Sequence, residues 1–221
     1  MSDTFLAALC MAAALGGSSC AAFKDKPQLA AFARRHPIAA FAIGNRSELG
    51  TNITSNAVRI STRLGLDDRA NGDGRGTQVN ALRHSLWQAA ITARFGSRIA
   101  EAAGNAYERN AVQHNSRDYP DRYRADEAAD LRNNAVGRRI GAGGGNMKQL
   151  AAKLLDEYRN NGLWTAAPVQ ENGKTVWRIS QTRLDKTAHQ TAVAKLAVLD
   201  GNGMTAAERQ QAQQQSQNRR R

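Results

Sequence analysis

The sequence predicts a mainly α protein, with a single orthogonal or bundle-like helical domain and one C-terminal β-hairpin. Two observations lead to this prediction. Hydrophobic residues make up 41% of the 221 residues, but aromatic residues only 5%, so small side chains such as Ala must fill the core. Such a core is typical of closely packed helices. The second observation is a single strong hairpin signal, Asn172-Gly173 between apolar flanks.

Start and stop signals then divide the chain into its elements. Prolines stand early in the first two predicted helices, and glycines follow several of the others. The predicted helices span residues 27–35, 37–43, 52–64, 78–95, 98 to about 114, 125–140, 146–159 and 187–199. The hairpin is expected near residues 163–180, and residues 117–122 are expected to form a loop.

The two ends differ in composition from the helical domain, which we place at residues 23–200. Residues 5–17 are almost unbroken apolar, too short to span a bilayer, and small residues follow them, as at a signal-peptide cleavage site. Residues 1–22 are therefore predicted to be a signal peptide, although they contain no Lys or Arg. Lipidation at Cys20 and an Ala-rich helix packed on the domain are the alternatives. Residues 201–221 are rich in Gln and Arg and are predicted to be a flexible tail.

Charge and cysteine content limit the classes of function. The net charge is +12, which favours solubility or attraction to a polyanion: nucleic acid, an acidic wall polymer, or the anionic lipid of a membrane surface. Both cysteines, Cys10 and Cys20, lie in the predicted signal peptide. The rest of the chain therefore has no disulfide, cysteine-bound zinc or catalytic thiol. A basic, cysteine-free exported protein fits the periplasm or secretion from a bacterium.

Three predicted helices carry polar residues at spacings that place them on one helical face. Solvated faces usually carry Lys and Glu, whereas these carry residues that form directional hydrogen bonds. Gly137 would allow another backbone to come close to the third face. The faces comprise Asn80, Arg83, His84, Trp87 and Gln88, then Glu101, Asn105 and Glu108, then Asp130, Asn133, Asn134, Gly137 and Arg138.

Convergence of these faces would bring His84, Glu108 and Asp130 together as candidate catalytic residues. His84 could act as a general base on water, oriented by a carboxylate, while Arg83 or Arg138 holds an anionic substrate. The same three residues could instead bind a divalent metal, or form a buried network that only fixes helix packing. No cofactor is required by the first of these interpretations, and no metal ligand is assigned.

Motifs for two common hydrolase classes are missing from the sequence. There is no His-Glu-x-x-His, which excludes a zincin, and no Gly-x-Ser-x-Gly, which excludes a typical α/β-hydrolase. The other histidines, His36, His114 and His189, stand in less informative patterns.

The segments containing Asn80-Ala81-x-Arg83-His84-x-x-Trp87 and Asp130-x-x-Asn133-Asn134-x-x-Gly137-Arg138 resemble an uncharacterised bacterial domain family. The pattern of that family is Asn-Ala-x-Arg-His-x-x-Trp, His-Glu, then Asp-x-x-Asn-Asn-x-x-Gly-Arg, and it occurs in exported and toxin-like proteins. The resemblance covers about residues 50–141. It implies functional roles for Asn80, Arg83, His84, Trp87, Glu108, Asp130, Asn134 and Arg138. Tyr107 replaces the His of the His-Glu pair, so metal binding is in doubt here.

These patterns together predict an exported bacterial envelope protein that is a hydrolase or toxin-like effector acting on an anionic substrate. Asn80, Arg83, Trp87, Asn134 and Arg138 are the predicted substrate-binding residues. The alternative is a non-catalytic basic protein that binds the envelope or nucleic acid, so the sequence leaves enzymatic activity open.

Overall fold

The computed structural model describes residues 27–107 and 116–218, and this part of the chain is mainly α, as predicted. This described part is 62% helical and has a small antiparallel sheet. The described elements, in chain order, are α1 Pro27–Arg35, α2 Pro37–Ile43, α3 Ile53–Arg63, α4 Gln78–Phe95, α5 Ser97–Tyr107, β1 Asp118–Tyr119, α6 Arg122–Gly141, α7 Met147–Asn160, β2 Leu163–Glu171, β3 Lys174–Thr182, α8 Lys186–Ala197 and α9 Ala206–Asn218.

Local capping signals fix many of the helix ends. The side chains of Asn52, Thr77, Asp121, Asn146 and Asp185 each accept a hydrogen bond from a backbone N–H in the first turn of the helix that follows. Helices α1, α2 and α4 have the predicted ends. Helix α6 begins three residues earlier than predicted, because Asp121 caps it at Arg122.

The sheet contains the predicted hairpin and one strand that the prediction missed. Strands β2 and β3 are joined at Asn172 and Gly173, whose φ angles of 51° and 74° suit a two-residue turn. The sequence predicts a loop for residues 117–122, but Asp118 and Tyr119 form β1 and pair with β3. The strand order is β1-β3-β2. A two-residue strand is too short to show the alternation that identifies strands in a sequence.

Side chains and a loop attach β2 to the helices. The Asn133 amide, on α6, donates to the Trp164 carbonyl at 2.8 Å and accepts from the Trp164 N–H at 2.9 Å. The backbone N–H of Ala166 donates to Gly76 O at 2.8 Å, and the Ala166 carbonyl accepts from Asn71 Nδ2 at 2.8 Å. The sheet and the loop before α4 are therefore positioned against α6.

Helix α4 lies at the centre of the core. It packs against α3, α5, α6, α7 and β2, and Leu82, Leu86 and Ile91 on it are fully buried. The main apolar cluster is completed by leucines of α7 and by Ala-rich faces of α1, α2 and α5. Because α4 is covered on several sides, its polar residues must find partners inside the protein.

Arg59 on α3 is a buried cation that binds two loops through their carbonyl groups. Its Nη2 donates to the carbonyls of Glu48 and Gly50, each at 2.7 Å, and its Nη1 donates to the carbonyl of Asn202 at 2.6 Å. Burial is the largest cause of its lowered pKa, and the charge of Arg63 adds to it. Arg59 thus fixes both the loop before α3 and the loop before α9.

The two chain ends differ in what can be said about them. The predicted signal peptide, residues 1–22, lies outside the described residues. Part of the predicted flexible tail forms α9, which Glu208 links to Arg63 on α3 through two charged hydrogen bonds. Its flexibility stays a prediction. Within the described ranges, no helix is both long and apolar enough to cross a membrane.

Candidate functional site

The candidate site lies between α4 and α6, which run parallel and in very close contact. Two glycines of α6 make this contact possible. A Cβ atom on Gly137 would lie 2.2 Å from the carbonyl oxygen of Ser85, and one on Gly141 would lie 2.4 Å from that of Ala89. Because any larger residue would force the helices apart, these glycines set the distance between the polar faces of α4 and α6.

Asn80 joins the two helices through a pair of carboxylates. Its Nδ2 donates to Asp126 Oδ1 and to Asp130 Oδ1, both at 2.8 Å. Its Oδ1 accepts a hydrogen bond from Arg83 Nη2. Asp126 Oδ1 also accepts from the backbone N–H of Gly76 at 2.7 Å. The cluster therefore contains two acids, one amide and one guanidinium, held by several elements.

His84 lies one turn further along α4 and faces the same cluster. Its Nε2 lies 3.2 Å from Asp130 Oδ2, and only 6% of the residue is exposed. Burial lowers the pKa of His84 well below its usual value, and the charge of Arg83 lowers it further, while the nearby Asn134 amide opposes the shift. The lowered pKa favours the neutral form of the imidazole.

A small cavity borders the other side of the imidazole. It measures about 20 Å³ and is lined by Thr54, Ala57, Val58, Arg83, His84, Trp87 and Tyr107. This volume is about that of one water molecule, but the surface that the lining residues present to the cavity is apolar. The Trp87 indole N–H donates to Thr54 Oγ1 at 3.1 Å and so fixes one wall of the cavity.

Two neighbouring polar groups have hydrogen-bonding capacity to spare. Asn134 is 1% exposed, and its amide lies against the His84 imidazole without reaching the geometry of a strong hydrogen bond. Arg83 Nε is buried without a hydrogen-bond partner in the described chain. Buried polar groups without partners are rare because each costs free energy. Both residues lie beside His84, but only Arg83 lines the cavity.

The structure brings together some of the predicted site residues and separates others. His84 and Asp130 are in contact, Asn80 and Arg83 belong to their cluster, Trp87 lines the cavity and Asn134 lies beside His84. Glu108 lies outside the described residues. Arg138 Nη1 lies 3.4 Å from Gln88 Oε1, which is one helical turn beyond His84, and Arg138 does not line the cavity.

The face predicted on α5 does not join this cluster where it can be observed. Glu101 and Asn105 are exposed, whereas Ala100, Ala103 and Gly104 on the other face are buried. Small residues pack against α4 because they allow a close approach, so the polar residues of α5 face the solvent. Convergence of the three faces is therefore observed only for α4 and α6.

Sequence reasoning missed Asp126 and the cavity wall formed by Thr54 and Val58. Asp126 precedes Asp130 by one helical turn, so the spacing that marked the third face could have included it. Thr54 and Val58 lie on α3, a different element, and carry no motif. As for metal binding, the described ranges contain no group of three or more His, Cys, Asp or Glu residues placed to hold an ion.

The carboxyl group of Asp126 gives a pH-dependent prediction. Burial raises its pKa to about 6, although the Gly76 N–H and nearby arginines act in the opposite direction. Between about pH 4 and pH 6, Asp126 is therefore protonated in the folded protein but ionised in the unfolded chain. Stability from this group is fully present below the unfolded pKa and is lost as the pH rises through the folded pKa.

Urea unfolding from about pH 4 to pH 7 measures this effect. Relative to Asp126→Asn, we expect the wild type to lose about 2 kcal/mol of its free energy of unfolding over that range. The lowered pKa of His84 has the opposite effect, because its contribution to the free energy of unfolding is lost as the pH falls below the ordinary pKa of histidine. His84 is present in both proteins, so this contribution cancels in the comparison. Asp68→Asn, at an exposed position, is the control. A constant difference between wild type and Asp126→Asn would contradict the expected pKa.

Fold and site together define a mainly α domain with a buried histidine–aspartate pair between two closely packed parallel helices. A family model described as a domain of unknown function (DUF6973) matches residues 38–162. The chain belongs to this family. The predicted resemblance to an uncharacterised family is confirmed at this level, whereas its residue pattern and its bacterial context stay predictions. No curated protein and no solved structure matches the chain.

Proposed function

We propose that the chain is a metal-independent hydrolase acting on an ester of an anionic lipid or polymer. The observation that carries the proposal is the His84–Asp130 pair, 3.2 Å apart, with the imidazole bordering a cavity of about 20 Å³. A neutral imidazole next to a carboxylate is the arrangement that general-base catalysis uses. The carboxylate stabilises the imidazolium that forms when the base takes up a proton.

In this mechanism His84 activates a water molecule in the cavity. The imidazole accepts one proton from the water as its oxygen attacks the ester centre, and the imidazolium then returns that proton to the leaving oxygen. Asp130 stays ionised throughout. The net reaction adds one water molecule across the ester bond, so no redox partner or further reactant is needed.

Arg83 and Asn134 have the chemistry needed to bind the substrate. Arg83 lines the cavity and keeps a buried N–H without a hydrogen-bond partner in the described chain, and a guanidinium binds phosphate or carboxylate well. The Asn134 amide offers both a donor and an acceptor next to the base. Trp87 and Val58 provide apolar walls. The net charge of +12 would attract a substrate of negative charge.

Hydrolysis assays on the full chain test this proposal. The substrates are bis(p-nitrophenyl) phosphate, a fluorogenic RNA oligonucleotide and phosphatidylglycerol vesicles, each assayed with and without EDTA. We expect EDTA-resistant hydrolysis of at least one of them. His84→Ala should lower kcat by about 10² to 10⁴, which is the usual contribution of a general base. Asp130→Asn should also lower kcat, with the fold checked by thermal unfolding.

His189→Ala is the matched control. His189 is also largely buried and lies 3.0 Å from an aspartate, Asp156, but this pair lies between α8 and α7, away from the cavity. The His189→Ala variant should keep full activity. Full activity of a folded His84→Ala variant would refute the mechanism. Hydrolysis of none of the substrates, with binding that His84→Ala leaves unchanged, would favour a non-catalytic basic protein.

Export of a toxin-like effector to the bacterial envelope remains part of the proposal, supported by the apolar segment at residues 5–17 and the small residues after it. The N-terminal mass of the native protein tests it. A mass that begins near residue 22 or 23 is expected, and a chain that retains residues 1–22 would contradict cleavage.

A further inference from the structure

Helix α2 (Pro37–Ile43) is apolar on two sides, and only one of them is covered by residues that the structure describes. Ala39, Ala40 and Ile43 are buried in the core. On the other side, Ile38 is 76% exposed and Phe41 is 68% exposed. The two residues are three positions apart, so they are neighbours on the helix surface. Neighbouring exposed apolar side chains are a feature by which binding surfaces are recognised.

The surroundings of this apolar pair are basic. Arg34 and Arg35 are exposed in the last turn of α1, immediately before α2, and Arg46 is exposed three residues after α2 ends. No Asp or Glu occurs in residues 27–47, and the first acidic residue after α2 is the exposed Glu48. We call Ile38, Phe41, Arg34 and Arg35 the α1–α2 patch. The patch combines two exposed apolar side chains with two exposed arginines that precede them closely in the sequence.

We propose that the α1–α2 patch binds the surface of a membrane that contains anionic phospholipid. Ile38 and Phe41 insert at the level of the headgroups, and Arg34 and Arg35 contact lipid phosphates. Exposed apolar residues next to Lys or Arg are the combination by which helices lie on a bilayer surface. This inference does not depend on the proposed hydrolase activity, because the α1–α2 patch and His84 share no residue.

Charge argues against a second copy of the chain as the occupant. In a symmetric dimer the same patch meets itself, so the arginines of one copy would lie close to those of the other. Like charges brought together at an interface are unfavourable. An anionic bilayer surface instead complements the arginines and accepts the apolar side chains, so it fits both parts of the patch.

Co-sedimentation of the full chain with vesicles tests the proposal. One set of vesicles contains phosphatidylglycerol and phosphatidylcholine in equal parts, and the other contains phosphatidylcholine alone. We expect Ile38→Ser/Phe41→Ser to weaken binding to the anionic vesicles by about tenfold or more, because two large apolar side chains no longer leave water. Val198→Ser is the matched control and should bind as the wild type does, since Val198 is 75% exposed elsewhere, after α8.

A second pair of variants tests the charge of the patch. Arg34→Gln/Arg35→Gln should weaken binding to anionic vesicles by about tenfold or more. Arg159→Gln/Arg183→Gln removes the same charge from exposed positions outside the patch and should have a smaller effect. Wild-type binding of Ile38→Ser/Phe41→Ser would overturn the proposal, as would a wild type that binds neither kind of vesicle. If Ile38→Ser/Phe41→Ser loses self-association but still binds vesicles, a second copy of the chain covers the patch.

Discussion

Replacing Arg59 by Met should lower the free energy of unfolding by about 3 to 4 kcal/mol. Methionine fills part of the space of the side chain but donates no hydrogen bond. The carbonyls of Glu48, Gly50 and Asn202 would lose donors that now lie 2.6 to 2.7 Å away. These acceptors are only partly buried, so each one left without its donor costs about 1 kcal/mol. In a chain of this size, we expect the Tm to fall by about 10 °C.

Arg63→Met, one turn further along α3, provides the matched control. Arg63 is paired with the Glu208 carboxylate and also donates to the Gly203 carbonyl, but it is about one-third exposed, so water can replace these partners. A loss of about 1 kcal/mol or less is expected there. The loss of stability in Arg59→Lys should lie between those of Arg59→Met and Arg63→Met, because one ammonium group cannot reach carbonyls on both loops. Equal losses for Arg59→Met and Arg63→Met would show that Arg59 does not fix the loops as the structure indicates.

Replacing Gly137 by Ala should destabilise the protein by about 3 kcal/mol. Alanine normally stabilises a helix by about 1 kcal/mol relative to glycine. Here the added Cβ would lie 2.2 Å from a backbone oxygen, Ser85 O, which no side-chain rotation can relieve. The two helices must separate, and the poorer packing between them costs more free energy than the gain in helix propensity supplies. Thermal unfolding should show a Tm lower by about 6 to 12 °C.

Gly201→Ala is the control for this prediction, because no atom lies within 4 Å of a Cβ added there. Its Tm should remain close to that of the wild type. Since Gly137 also sets the separation of His84 and Asp130, the Gly137→Ala variant should lose the proposed hydrolase activity even well below its Tm. An unchanged Tm for Gly137→Ala would contradict the close helix contact.

Helix α4 shows what the sequence can predict. Its ends, Gln78 and Phe95, follow from a capping Thr77 before them and Gly96 after them, which are local signals. Directional side chains at helical spacing, together with Gly137, predict the pairing of its polar face with that of α6. Residues separated by one helical turn share a face in any helix, so a pair such as Asn80 and His84 needs no tertiary information.

Long-range partners could not be predicted in the same way. The partners of Arg59 are backbone carbonyls from two distant loops, and any residue type can supply them. The spacing of Glu101 and Asn105 on α5 identified a face correctly but could not show which way it points. The same limit applies to β1, whose two residues form a strand only because β3 lies alongside.

The contacts of β2 have a consequence for assembly, because β2 is an edge strand of the three-stranded sheet. Alternate residues of an edge strand present free backbone groups to which another chain can add a strand. At Trp164 those groups bond to Asn133, and at Ala166 to Asn71 and Gly76. The next residue in the same alternation is Pro168, which has no N–H. This edge is therefore closed to intermolecular strand addition from Trp164 through Pro168, which protects the sheet against edge-to-edge aggregation.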